Sequence, residues 1–341
     1  WSEPAWRPGQ PAEGAPPATA KKKGKGKNQP APAKDSDSRG RPFGVSDLTD
    51  DEHSDGQVAL KTIADLRRLK DSEQPFFIAA GFFKPHLPFI CPQQYWDLYP
   101  PETIKLPANY HEPKDAPEES IHNSGELRAY SGVPKTGRLP DDMALGLIRG
   151  YHACVSFTDA QIGRILDELE RLDLAKNTIV ILWGDHGWNL AEHTLWCKHS
   201  CYETSMRVPL LISAPGFKGG LKTEALTELI DVYPTLCELA GVPVPEHVQG
   251  RSFVPLMTDP TQSWKDHAIG RFGKGDTLRT NDYRFTEYTD REQGPFARML
   301  YDHRSDPGEN VNVSEADEQK VVVEDLTIRL REGKGKDDDL Q

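Results

Sequence analysis

Thr178-Ile179-Val180-Ile181-Leu182-Trp183-Gly184-Asp185-His186-Gly187 is a continuous apolar run that ends on two glycines bracketing a carboxylate and an imidazole. An unbroken run of this length, rich in β-branched residues, reads as a strand buried on both faces, the habit of strands inside a parallel sheet. Two further runs read the same way. Pro75-Phe76-Phe77-Ile78-Ala79-Ala80-Gly81 is one, and the run over 208–213, closed by Ala214-Pro215-Gly216, is the other. Helical patterns lie around them. Apolar residues recur at 59, 60, 63, 66 and 69. A long helix over 141–172 carries a stripe of Ile148, Tyr151, Val155, Ile162, Ile165, Leu166 and Leu169, with Glu168 and Arg171 turned to solvent. A third helix over 224–240 stops at Gly241. Strands alternating with helices predict an α/β/α sandwich around a mostly parallel sheet, with 76–80, 179–183 and 209–213 side by side or nearly so.

The ends of the chain differ in character. Residues 1–45 are rich in Pro, Ala, Gly and Lys, with a basic run from Lys21 to Lys27. Such a composition buries too little to offset chain entropy, so it reads as a disordered linker or loop. The α/β domain is then expected over 46–262. Alternation in Tyr283-Arg284-Phe285-Thr286-Glu287-Tyr288, a second strand near 298–301 and a helix near 318–331 predict a small antiparallel α+β subdomain over 263–331, followed by a tail over 332–341.

The net charge of −12 over 341 residues disfavours broad nucleic-acid binding, which requires Lys and Arg to neutralise phosphates. No apolar run reaches the roughly 20 residues of a membrane-spanning helix. The five cysteines, Cys91, Cys154, Cys197, Cys201 and Cys237, form no C-x-x-C pair. They read as buried thiols with room for one disulfide rather than as a zinc or redox centre.

In α/β sheets ligands sit beyond the carboxyl ends of strands, so chemistry is sought in the loops after Gly81 and after Trp183. In the second loop Asp185 and His186 can share one cation. Oxygen suits calcium or magnesium, and imidazole also suits a softer metal. The flanking glycines would let a metal or anion approach the backbone. Trp188, Glu192, His193, Trp196 and Lys198 follow. An ammonium near a carboxylate and a cation is apt for an anionic group. The first loop holds Lys84 and His86 among prolines that stiffen it. The local alternatives are a capped turn for Asp185-His186 and a surface loop for His86. The four residues Asp185, His186, Lys198 and His86 are expected to meet in one pocket.

The run Asp185-His186-Gly187-Trp188-Asn189-Leu190-Ala191-Glu192-His193-Thr194-Leu195-Trp196-Cys197-Lys198 resembles the D-H-G-W-x-L-G-E-H-x-x-W-x-K segment of type I sulfatases on the iduronate-2-sulfatase branch. Gly81-Phe82-Phe83-Lys84-Pro85-His86-Leu87-Pro88-Phe89 is similar to the family's G-x-x-K-P-H-x-P-F. So are Asp231-Val232-Tyr233-Pro234-Thr235-Leu236 to D-x-x-P-T-L, and Arg279-Thr280-Asn281-Asp282-Tyr283-Arg284 to R-T-x-x-Y-R. The likeness runs in order from about residue 48 to about 312. It implies the alkaline-phosphatase-like fold and hydrolysis of sulfate esters on sugars. It also implies Asp185 and His186 as ligands of one Ca2+, Lys198 and His86 as catalytic contacts to the sulfate and the leaving oxygen, and Trp188 and Lys84 as substrate-binding residues, with Glu192 and His193 bracing the loop. By the same resemblance the protein would be secreted, periplasmic or lysosome-like.

The sequence departs from the family in two ways. Ala191 and Thr194 stand where the family has glycine, which bears on the path of that loop. More consequentially, no C/S-x-P-S-R motif, the source of the formylglycine nucleophile, occurs in the chain. The resemblance implies that formylglycine and the remaining metal ligands belong to an N-terminal sulfatase half outside this chain, and that the chain is inactive alone. Two other readings stay open: another hydrolase of the superfamily such as a phosphodiesterase, and a non-catalytic binding fragment.

Overall fold

The computed structural model describes residues 5–9 and 39–334. The reading of disorder over 10–38 lies outside the described residues, as does most of the expected tail. The chain divides into two compact units, residues 1–106 with 125–176, and 107–124 with 177–341.

The first unit is built on β1 (Phe43–Ser46), α1 (Ser54–Leu69), β2 (Phe89–Pro92), α2 (Gln93–Trp96), α3 (Gly125–Arg128) and α4 (Asp141–Arg171). β1 pairs with β2 in parallel, Phe43 opposite Phe89 and Val45 opposite Cys91. β1 straddles the expected boundary at 45; four residues carry too little pattern to announce a strand without its partner. Helix α4 starts at Pro140 as N-cap, with Asp141 and Asp142 in its first turn, where carboxylates complement the amino-terminal dipole. Its buried face overlaps the expected stripe only in part. Ile148 and Leu169 are inside as expected, but so are Ala144, Leu147, Gly150, Ala153, Cys154 and Phe157, whereas Val155 and Leu166 are exposed. Small residues explain this. A Cβ at Gly150 would lie 2.9 Å from Phe89 Cβ, and one at Gly146 would lie 2.6 Å from the Phe43 ring. The helix thus presses its least bulky face onto β1 and β2. Glu168, expected in solvent, is buried instead, with its carboxylate between Arg67 (2.7 Å) and Arg171 (2.8 Å).

The second unit contains β3 (Val180–Trp183), β4 (Asn189–Leu190), β5 (Trp196–Cys197), α5 (Glu203–Met206), β6 (Leu210–Ser213), α6 (Val232–Leu239), α7 (Val254–Thr258), β7 (Ala268–Phe272), β8 (Gly275–Arg279), β9 (Tyr283–Asp290), β10 (Gly294–Asp302) and α8 (Lys320–Lys334). Strands β7 to β10 form an antiparallel meander that seats α8 through Leu278, Phe285, Leu300, Val323, Leu326 and Leu330. This is the small antiparallel sheet and terminal helix that the alternation predicted. α6 begins later than expected, because residues 221–228 take no regular structure.

The sheet expectation needs two corrections. Residues 75–83 form no strand ladder among the described residues, and Phe77 is 67 % exposed. An apolar run becomes a strand only where a neighbour accepts its backbone hydrogen bonds. β3 does pair with the 209–213 segment, but antiparallel, Ile181 opposite Ile212 and Trp183 opposite Leu210. The connection between them holds α5 and short turns but no crossover helix, and a parallel pair would need a crossover. One face, with Ile181, Leu210 and Ile212, packs on Val232, Phe253 and Leu256. The other leaves Leu182 and Leu211 exposed.

All five cysteines are buried free thiols. No helix among the described residues is long and apolar enough to cross a membrane.

Candidate functional site

β3 delivers Asp185 and His186 to its carboxyl end. The Asp185 carboxylate accepts the His186 backbone N–H through Oδ1 (3.0 Å), and Oδ2 lies 3.7 Å from His186 Nε2. His186 Nδ1 lies 2.8 Å from the Gly187 carbonyl. A carbonyl only accepts, so Nδ1 is the donor there and Nε2 is the nitrogen turned toward Asp185. That outer hydrogen bond is the usual way a metal-ligating imidazole is oriented. Asp185 Oδ2 and His186 Nε2 are close enough for one divalent cation to touch both, so these two residues fit a cation site as far as they go.

Gly187 has a different role from the one expected of it. What approaches its backbone is the chain itself. A Cβ there would lie 2.1 Å from the Thr204 carbonyl oxygen, and its N–H donates to the Ser205 carbonyl at 2.8 Å. The loop after β3 is thereby stapled to α5.

β4 and β5 pair antiparallel, Asn189 opposite Cys197. The next pair outward is Trp188 and Lys198, and Lys198 Nζ lies 5.2 Å from the Trp188 ring centroid. The other side of the site meets the same indole, with the His186 ring 5.8 Å away at 31°. Asp185, His186, Lys198 and His199 line one broad open cleft in the second unit. The structure therefore brings together Asp185, His186, Trp188 and Lys198.

The loop between β4 and β5 is braced as the sequence suggested. Glu192 accepts the Leu190 N–H at 2.6 Å, and burial raises its pKa. His193 is buried against Tyr202, and burial pushes its pKa down to about 4. Ala191 and Thr194, the residues in place of glycines, have φ of 86° and 66°, the left-handed region that glycine enters without steric cost.

His86 and Lys84 belong to the first unit. His86 has Nδ1 2.9 Å from the Leu87 carbonyl, Nε2 2.8 Å from Glu126, and its ring against Phe83. Lys84 is turned inward. Its backbone N–H donates to Asp55 at 2.7 Å, its ammonium donates to the carbonyls of His86 and Pro88, and burial lowers its pKa. A substrate contact by Lys84 would require the ammonium to leave those carbonyls.

Three groups escaped the sequence reading. His199 stands beside Lys198 with its ring against His122 (5.7 Å) and Phe272 (5.5 Å). His122 accepts the Ser124 N–H on Nδ1 at 2.9 Å, and burial, then the neighbouring His199, bring its pKa down to about 4. Asn189, fully buried, donates to Cys197 and Ser205 and ties the two sides of the site. Only the adjacency of His199 to Lys198 left a trace in the sequence.

Comparison with known proteins bears on this geometry. The sulfatase family model matches residues 14–242, and the model for the C-terminal part of N-sulphoglucosamine sulphohydrolase matches 191–336. A sulfatase of Formosa agariphila is 34 % identical over 277 residues, 76 % of this chain and 50 % of its own length. Mouse iduronate 2-sulfatase is 34 % identical (66 % of this chain, 47 % of its own). Human arylsulfatase K is 32 % identical (71 % and 48 %). The chain thus spans about half the length of these relatives. Among solved structures, a phosphonate monoester hydrolase from Silicibacter pomeroyi superposes with TM-score 0.73 at 21 % identity, covering 86 % of this chain and 62 % of that one. A protein solved with its substrate D-glucosamine-2-N,6-O-disulfate gives TM-score 0.70 at 21 % identity (85 % and 71 %). These likenesses show the alkaline-phosphatase-like fold.

Proposed function

The chain belongs to the sulfatase family, and from that premise we propose that it forms the cation- and anion-binding part of a sulfuric ester hydrolase acting on sulfated sugars, in the manner of iduronate-2-sulfatase. The observation that carries the reading is the shared cleft of Asp185, His186 and Lys198, with Trp188 in contact with both His186 and Lys198. In this account Asp185 and His186 hold one Ca2+, which when bound would draw in a sulfate oxygen and offset its charge. Lys198 holds the other sulfate oxygens, and the Trp188 face keeps its ammonium in place by cation–π attraction. His86 would meet the sulfate or the leaving oxygen. Trp188 would wall the sugar, and Lys84 would contact substrate once freed from its carbonyls. Two protein ligands fall short of the six to eight oxygens calcium prefers, so the rest of its shell, and the formylglycine that supplies the nucleophile, would come from sequence outside these 341 residues. A secreted, periplasmic or lysosome-like location follows from the same family reading.

The test is sulfate release from an aryl sulfate and from a 2-sulfated uronic acid, with a phosphodiester as third substrate. The 341-residue chain alone should give no turnover. Joined to a sulfatase N-terminal half carrying matured C-x-P-S-R, it should hydrolyse the sulfate esters. Turnover by the chain alone, or preference for the phosphodiester in the joined enzyme, would overturn the reading.

A further inference from the structure

The motif Arg279-Thr280-Asn281-Asp282-Tyr283-Arg284 lies in the β8–β9 hairpin, and the proposed chemistry gives it no task. Its two arginines converge on one carboxylate. Arg279 Nε lies 3.2 Å from Glu203 Oε2, and Arg284 Nη2 donates to the same oxygen. Arg284 Nε lies 2.9 Å from Glu309 Oε1, and Arg284 Nη1 reaches Thr277 Oγ1 at 3.3 Å. Glu309 returns to the same helix by accepting the Glu203 N–H at 2.9 Å, and its other oxygen meets His303 at 3.0 Å. Arg284 and Glu309 are both 3 % exposed at the side chain.

Glu203, His303 and Glu309 could in principle surround a metal ion. The charges argue otherwise. Two carboxylates already face two guanidiniums, so an added cation would enter a balanced cluster. The cluster reads as an ion network that grips the start of α5.

The far side of α5 grips the candidate site. Ser205 O accepts the Gly187 N–H at 2.8 Å, one residue past His186. Ser205 Oγ accepts from Asn189 Nδ2 at 2.8 Å and lies 2.7 Å from Ser200 Oγ. The Ser200 N–H donates to the Lys198 carbonyl at 2.9 Å. The short helix is therefore the common support of the loop bearing Asp185 and His186 and of the turn bearing Lys198.

We infer that Glu203 and Arg284 are positioning residues. By anchoring α5 to the C-terminal sheet, they fix the placement of Lys198 relative to Asp185 and His186. The inference rests on reading those three as one site, but its test needs no activity and so fails independently of that reading.

The experiment is native-state amide hydrogen exchange on the 341-residue chain, comparing wild type with Glu203→Gln and Arg284→Lys. Glu203→Gln is isosteric and leaves the arginines facing a neutral amide. Arg284→Lys replaces a fork that serves two carboxylates by a point charge. Both should speed exchange at Gly187 and Arg207 by about tenfold or more, since charge-assisted hydrogen bonds are the ones lost, while Leu326 and Leu330 in α8 keep their protection. Unchanged exchange at Gly187, or an equal loss of protection across β9, β10 and α8, would overturn the inference; the second outcome would make the network a general stabiliser. If neither variant folds, wild type alone decides: Gly187, Arg207 and Arg284 should open as one unit separate from α8, and independent opening of Gly187 and Arg284 contradicts the account.

Discussion

At Thr194 a β-branched side chain occupies the left-handed region, φ 66°, in the loop that carries the site. Such a residue stores strain on the order of 1–2 kcal/mol that glycine would relieve. Thr194 is half-buried and can lose its side chain at modest cost, so Thr194→Gly should stabilise the chain by about 1 kcal/mol, read as a rise in Tm of ~1–2 °C for a chain of this length. Ala191 offers a control. Its φ is 86°, but its methyl group is fully buried. Burial of one methyl is worth ~0.8 kcal/mol, which offsets most of the relief, so Ala191→Gly should change Tm little. Equal and large gains at both positions would show that backbone strain is not what distinguishes them. The resemblance marked these two positions as bearing on the path of the loop, but not the left-handed backbone they take. The role of Gly187 was not legible, because the sequence does not say that Thr204, far along the chain, would crowd it.

Among elements, an ion pair from Arg67 to the buried Glu168 ties α1 to α4. Hydrogen bonds from Arg171 and then Arg67 hold the Glu168 pKa down to about 2, against the ordinary 4.5. A depressed carboxylate contributes stability in full above its unfolded pKa and loses it as pH falls through the folded one. Wild type should therefore lose stability between about pH 4.5 and 2, and Glu168→Gln should flatten the stability–pH curve in that window. Equal acid sensitivity of the two proteins, followed by circular dichroism, would contradict this. The helix itself was legible to within a residue or so, since a long apolar period marks it. Its inner face was legible only in part, through Ile148 and Leu169. The reading followed the large apolar residues, whereas Gly146, Gly150 and Ala153 decide which side lies close to β1 and β2. Likewise the apolar runs at 179–183 and 209–213 foretold strands but not their antiparallel sense. The run at 76–80 foretold a strand that forms no ladder among the described residues, because pairing depends on a partner the local sequence does not contain.

For the molecule as a whole, alternating strands and helices led to an α/β sandwich, the resemblance of the motifs to type I sulfatases led to the alkaline-phosphatase-like fold, and the antiparallel C-terminal sheet was legible from alternation alone. Of the four residues expected to meet in one pocket, Asp185, His186 and Lys198 line one cleft, while His86 lies in the first unit. The α5 anchor was not anticipated, since Glu203, Arg284 and Glu309 are scattered over a hundred residues and carry no pattern in common. The central claim is that Lys198, held against Trp188 beside Asp185 and His186, binds the sulfate group. It is tested most directly by steady-state sulfate release from a 2-sulfated uronic acid, comparing the joined, formylglycine-matured enzyme with its Lys198→Ala variant. Loss of a positioned cation from a site where charge develops costs roughly 100- to 1000-fold in kcat. The account predicts a fall of that order with the fold intact by circular dichroism. A Lys198→Ala enzyme that turns over at the wild-type rate would contradict it.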